Sequence, residues 1–153
     1  MTNEVAVQTL PAVNRVIRSI EIVDVDYKSP FPWARYLDDR QALVIVLESG
    51  WTLVFMDDCG QSCCESRYMH TDDDLSALVG ETLVNVRHGG CNEEGDDEVI
   101  EAEFVIIQTD RDSAVIGTYN SHNGYYGGLD LSMSVYDPEG NKVVDGVSLT
   151  RAE

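Results

Sequence analysis

Gln41-Ala42-Leu43-Val44-Ile45-Val46-Leu47-Glu48-Ser49-Gly50-Trp51-Thr52-Leu53-Val54-Phe55-Met56 is the stretch whose reading decides the fold. Two runs rich in β-branched, aromatic and leucine side chains flank Glu48-Ser49-Gly50. A short glycine-bearing connection between such runs is a hairpin signature. Upstream, Val13 to Tyr27 carries Val16, Ile17, Ile20, Ile22, Val23 and Val25. Val13, Val16, Ile17 and Ile20 also match a helical stripe, but the β-branched content favours a strand. Ser29-Pro30-Phe31-Pro32-Trp33 reads as extended and turn-like, because each proline fixes its own φ and restricts its predecessor. Residues 1–12 hold few bulky apolar side chains and contain Pro11, so they read as a flexible tail.

Downstream, Thr82 to Arg87 reads as a strand, and Val99 to Thr109 and Ser113 to Tyr119 as two more around Asp110-Arg111-Asp112. Leu129, Leu131, Met133 and Val135 alternate with Asp130, Ser132, Ser134 and Tyr136, the pattern of a half-buried strand. Asp137-Pro138-Glu139-Gly140 then turns into a final strand over Lys142 to Leu149. One helix is expected near residues 72–79. Thr71 would cap it, Asp72, Asp73 and Asp74 would sit at the positive end of its dipole, Leu75, Leu78 and Val79 would be its apolar side, and Gly80 would end it. The expected fold is mostly β (α+β): a single antiparallel sheet system of about seven to eight strands with one short helix. It occupies one domain over 13–150, preceded by the tail.

Twenty-eight acids against ten bases give a formal charge of -18. Such a surface repels phosphate backbones, so direct binding to nucleic acid is excluded as an expectation, and basic patches on other proteins are favoured. Seven of the acids, Glu93, Glu94, Asp96, Asp97, Glu98, Glu101 and Glu103, fall between 93 and 103 with no base among them. This predicts a strongly negative surface, with Gly89 to Glu98 as a mobile loop. No apolar run approaches a membrane span and no basic leader opens the chain, so a cytoplasmic protein without membrane contact is expected. Four cysteines in such a chain read as reduced thiols rather than a disulfide framework.

Two polar junctions interrupt the strands. The first is Cys63-Cys64-Glu65-x-Arg67-Tyr68-Met69-x-Thr71-Asp72-Asp73-Asp74-Leu75, followed by Leu78-Val79-Gly80; His70 lies within it. The second is His122-Asn123-Gly124-Tyr125-Tyr126-Gly127-Gly128. Both, together with the strand opening Arg40-Gln41-Ala42-Leu43, resemble an uncharacterised family of small proteins common in phage and prophage genomes. The resemblance spans Gln41 to Leu131 and implies a phage setting, hence the cytoplasm of a host cell, but no particular chemistry.

The residues themselves limit the chemistry. Cys59, Cys63, Cys64, Cys91, His70 and His88 offer metal-ligand atoms. Cys59-x₃-Cys63 has no answering pair, however, and adjacent cysteines in a strand face opposite sides, so no metal and no cofactor are expected. Asp72-Asp73-Asp74 lacks the alternate-residue spacing and glycine turn of a calcium loop. A cysteine near His70 or His122 would make a thiolate–imidazole pair, but the surplus of acids opposes thiolate formation. Serine elbows, Walker loops and dinucleotide fingerprints are absent, and no catalytic residue is assigned. Asn123-Gly124 suits a positive-φ turn, and two tyrosines beside three glycines could also form the floor of a small-ligand site.

The binding surface expected from these motifs comprises Cys63, Cys64, Glu65, Arg67, Tyr68, His70, Asp72, Asp73, His122, Asn123, Gly124, Tyr125 and Tyr126. If both junctions lie at one end of the sheet, Glu65, Arg67, His122, Asn123 and Tyr125 would converge. The leading expectation is a non-enzymatic acidic phage accessory protein that binds and inhibits a basic host protein by imitating nucleic-acid charge. The alternatives are a small-ligand binder sequestering a host signalling nucleotide through Arg67 or Arg87, a metal- or cysteine-dependent enzyme, and a virion decoration protein. Nothing in the sequence specifies an oligomeric state.

Overall fold

Nine strands in two antiparallel sheets make up the fold among the described residues. The computed structural model describes residues 10, 14–26, 28–29, 31, 40–59, 65–124 and 127–149, with only the backbone at 145–148. The strands are β1 (Ile17–Val25), β2 (Arg40–Leu47), β3 (Thr52–Asp57), β4 (Glu65–His70), β5 (Leu83–Glu94), β6 (Val99–Thr109), β7 (Ser113–His122), β8 (Leu131–Tyr136) and β9 (Lys142–Ser148). One sheet has the order β1-β2-β3-β8-β9 and the other β4-β7-β6-β5. The mostly β, antiparallel expectation holds, and the sheet system resolves into two sheets.

The sheets close on one buried cluster. Leu43, Ile45, Leu53, Phe55 and Met133 come from the first, and Met69, Val86, Val105, Ile107 and Ile116 from the second. A second cluster, including Ala42, Val44, Val54 and Tyr136, lies on the other face of the five-stranded sheet. The uninterrupted apolar run of β2 follows from this, because its side chains are buried on both faces. The start of β1 is tied to the segment before β5: Gly80 N donates to Ile17 O and Ile17 N to Glu81 O, both at 2.8 Å. Leu10, at the edge of the expected tail, is buried in the main cluster; the rest of 1–12 lies outside the described residues.

Three stretches differ from their sequence reading. The helix is a single 3-10 turn, Leu75–Leu78, capped by Asp74, which accepts from Ser76 N at 3.1 Å. Thr71 and Asp73 are drawn away by β7. Where β4 ends, Thr71 Oγ1 donates to Val115 O at 2.7 Å and Asp73 Oδ2 accepts from Val115 N at 2.7 Å, so two side chains continue the ladder. The first junction contains strand β4, paired Glu65↔His122 through His70↔Gly117 with β7. Residues 89–94, read as loop, belong to β5, so only 95–98 connect it to β6. Among the described residues no helix is long and apolar enough to cross a membrane.

Candidate functional site

The four-stranded sheet turns a face of two chemistries toward its partner. At one end the inward side chains are Met69, Ile116, Val105, Ile107 and Val86, which belong to the core. Strand parity and the ladder registers put polar residues on the same face further along. Cys91, Glu103 and Thr118 follow one another across β5, β6 and β7, and Glu93, Glu101, Asn120 and Arg67 form the next row, reaching β4. Glu65 and His122 pair beyond them. The segment 127–130 is bonded to this face through Gly128.

Arg67 is the brace of this end. Its Nη1 lies 2.6 Å from Asp57 Oδ2 at the end of β3 and 2.8 Å from the Gly128 carbonyl, and its Nη2 lies 2.8 Å from Glu65 Oε2. The side chains of Arg67, Asp57 and Glu65 are only 10%, 9% and 1% exposed. Burial alone would lower the guanidinium pKa. The hydrogen bond and charge of Asp57, with the charge of Glu65, outweigh it, so Arg67 stays firmly protonated. Asn120 donates to Glu65 Oε2 at 2.8 Å, and Asp57 Oδ1 takes the amides of Cys59 and Asp130 at 3.0 and 3.1 Å. The Cys59 thiol is pushed up by burial and by Asp57, which opposes its use as a nucleophile.

His122 and Glu101 form the second pair, with Nε2 2.6 Å from Oε1. The Gly124 amide donates to His122 Nδ1 at 3.0 Å, which places the ring proton on Nε2, aimed at the carboxylate. Glu101 Oε1 also accepts the Gly128 amide at 2.9 Å. Gly127 must be glycine: its φ is +143°, and a Cβ there would sit 2.5 Å from Glu101 Oε1 and 3.0 Å from His122 Nε2. Two adjoining open depressions, of ~440 and ~370 Å³, share Glu93, Glu101 and Gly128; the first reaches His122 and the second Cys91 and Glu103. Glu93 and Glu101 are direct ladder partners, a like-charge opposition that costs stability.

The expected binding residues divide between two faces. Glu65, Arg67, His122, Asn123 and Gly124 come together, because Glu65 and His122 are neighbours across β4 and β7. Cys63, Cys64, Tyr125 and Tyr126 lie outside the described residues. Tyr68 and His70 point to the outer face. Tyr68 stacks on Tyr119 with ring centroids 5.1 Å apart, and His70 Nε2 lies 2.9 Å from the exposed Asp72. Asp73 is committed to the β7 backbone. Glu93, Glu94, Asp96, Asp97 and Glu98 are exposed at the tip of the β5–β6 hairpin. Glu101 is half-buried, and Glu103 belongs to the interior rather than the acidic surface, because it faces inward against His88.

Sequence reasoning did not single out Asp57, Thr118 or Asn120, and it set aside His88 and Cys91. A signal was present in His88-Gly89-Gly90-Cys91, since a glycine pair inside a strand marks a bulge. A model of a domain of unknown function, DUF7448, matches residues 11–131. No curated protein and no solved structure matches.

Proposed function

We propose that this chain, which belongs to the DUF7448 family, is a non-enzymatic binding protein whose four-stranded sheet takes a basic protein partner. The observation that carries the reading is the adjacency of an exposed aromatic and apolar face to the acidic hairpin tip. On that outer face Tyr68 stacks on Tyr119, Phe104 meets Tyr119 edge-on at 6.3 Å, and Tyr68, Ile100 and Val115 are about two-fifths exposed. Ile100 is the ladder partner of Glu94, so the apolar face runs into the acids without a break. Tyrosine faces and carboxylates side by side suit arginine and lysine side chains, which gain cation–π contact and charge pairing together. Arg67 is already engaged by two carboxylates, so it gives little purchase to an anionic ligand.

In the phage setting implied by the sequence resemblance, the partner is a basic host protein. Covering its nucleic-acid-binding surface would inhibit it. Capture from host lysate is the test, with three proteins compared at low and high salt: the wild type, a hairpin with Glu93, Glu94, Asp96, Asp97 and Glu98 replaced by their amides, and Tyr68→Ala. One partner should be retained by the wild type at low salt, released by salt, and lost by both variants. A complex indifferent to salt and to both variants would refute the reading.

A further inference from the structure

We propose that His88, Cys91 and Glu103 form a binding site for a zinc-class divalent metal ion on the inner face of the four-stranded sheet. The site is built by a β-bulge. Residues three apart in a regular strand face opposite sides. Here the β5 register shifts between His88, opposite Val105, and Cys91, opposite Glu103, so Gly89 and Gly90 together face Phe104 alone. The extra residue restores parity and brings His88 and Cys91 to one face. Both glycines serve this: Gly90 has φ +104°, and a Cβ on Gly89 would press on Ile106 and Phe104 at 3.1–3.2 Å.

The three donors converge on a point. His88 Nε2 is 3.4 Å from Glu103 Oε2 and 3.8 Å from Cys91 Sγ, and all three ligand atoms lie within 4.8 Å of one another. Tetrahedral zinc with ordinary bond lengths has ligand–ligand edges of about 3.4–3.6 Å, so a small rotation of the exposed Cys91 side chain completes the set. A catalytic relay is built differently: the thiol would contact one imidazole nitrogen and the carboxylate the other. Here both contact Nε2, the atom that would carry the metal. Mixed sulfur, nitrogen and oxygen donors suit zinc, or cobalt in its place, and not magnesium or calcium.

An independent observation points to the same place. Thr118, 2% exposed, is the ladder partner of Glu103 on the inner face, and its buried Oγ1 has no hydrogen-bond partner among the described residues. A hydroxyl there can orient the ligating carboxylate or a water on the metal. The ~370 Å³ depression is lined by Cys91 and Glu103, leaving the fourth coordination position open to it. Metal on Nε2 requires the ring proton on Nδ1, so the long 3.3 Å contact from the Gly90 amide to Nδ1 is exchanged for the metal bond.

The test is cobalt and zinc titration of the full chain after chelator treatment. One equivalent of Co²⁺ should give a thiolate-to-cobalt charge-transfer band that Zn²⁺ removes. Cys91→Ser, an exposed position, should stay folded by circular dichroism, lose the band and bind Zn²⁺ more than ~100-fold more weakly. Glu103→Gln should weaken binding but keep the band, whereas Cys59→Ser and the double variant Cys63→Ser/Cys64→Ser should change neither. A wild type without the band, or a band that survives Cys91→Ser, would overturn the proposal. Should Glu103→Gln fail to fold, the Cys91→Ser comparison decides alone.

Discussion

Replacing Arg67 by methionine tests whether the polar end of the sandwich is held by that guanidinium. The wild-type side chain has contacts of 2.6 Å to Asp57 and 2.8 Å to Glu65, and both carboxylates are at least nine-tenths buried. Methionine fills much of the volume but leaves two buried carboxylates without their cation. Breaking a buried pair by removing one partner costs about 3–5 kcal/mol. For a domain of this size that corresponds to a fall in Tm of roughly 6–20 °C. Urea unfolding with circular dichroism gives the loss directly. Hydrogen exchange at Gly128 should also quicken, because Arg67 holds that residue's carbonyl at 2.8 Å. The companion variant Asp57→Asn/Glu65→Gln/Arg67→Met removes all three charges and keeps acceptors for the Cys59, Asp130 and Asn120 donors. It should be more stable than Arg67→Met alone, since a neutral replacement leaves no stranded charge. A loss under about 1 kcal/mol for Arg67→Met, the range of an exposed ion pair, would refute the reasoning. So would a triple variant less stable than the single one.

Two further perturbations test local geometry. Gly127→Ala should separate His122 from Glu101 and cost about 1–3 kcal/mol, read by urea unfolding and by loss of the hydrogen-bonded imidazole N–H signal in NMR. An unchanged imidazole signal would mean that the close approach is not required. Asp137→Ala should lower Tm at neutral pH. The Asn141 backbone amide, the Asn141 side chain and the amides of Glu139 and Gly140 hold the Asp137 carboxyl below its ordinary 3.8. A depressed carboxyl contributes stability above its unfolded pKa and loses it as pH falls through the folded value. The Tm gap should therefore close on acidification, and a gap independent of pH would contradict the attribution.

The β2–β3 hairpin and the strand at β8 were legible from their apolar residues. β8 is not half-buried as its alternation suggested, however: Ser132 and Tyr136 on its other face are only 3% and 6% exposed. Glu65-Ser66-Arg67-Tyr68-Met69-His70 was not legible as a strand, although it alternates. Its inward residues are Glu65, Arg67 and Met69, and two of those are buried by pairing with other polar groups. The same holds for Asn120 and His122 at the end of β7. A hydrophobic pattern cannot register polar groups that satisfy one another across strands. In residues 89–94 the glycine bulge and the acids both resembled loop, and register, which depends on the partner strand, was what made them β5. The helix failed for a related reason: Asp73 and Thr71 have a use as backbone substitutes that only the neighbouring strand reveals. Convergence of Glu65 with His122 likewise needed the β4–β7 register.

The inner face raises a question of charge that its own residues do not answer. Asp57, Glu65, Glu93, Glu101 and Glu103 all turn toward it, and Arg67 is the one guanidinium beside them among the described residues. Arg67 serves Asp57 and Glu65, and His122 covers Glu101 through a hydrogen bond whether or not it is charged. Glu103 lies 3.4 Å from His88 Nε2, and Glu93 sits directly opposite Glu101 across the ladder. A sequence shaped for stability alone would place apolar or oppositely charged residues there, since like charges across a ladder are unfavourable. An arrangement that costs stability persists where it supports something else. On the proposals made above, a metal ion at His88, Cys91 and Glu103 would bring one cation to this face, and a partner's basic side chains would meet Glu93 at the hairpin tip. The metal site lies on the inner face and the proposed partner surface on the outer face and hairpin tip, so the cobalt titration and the salt-dependent capture address them separately.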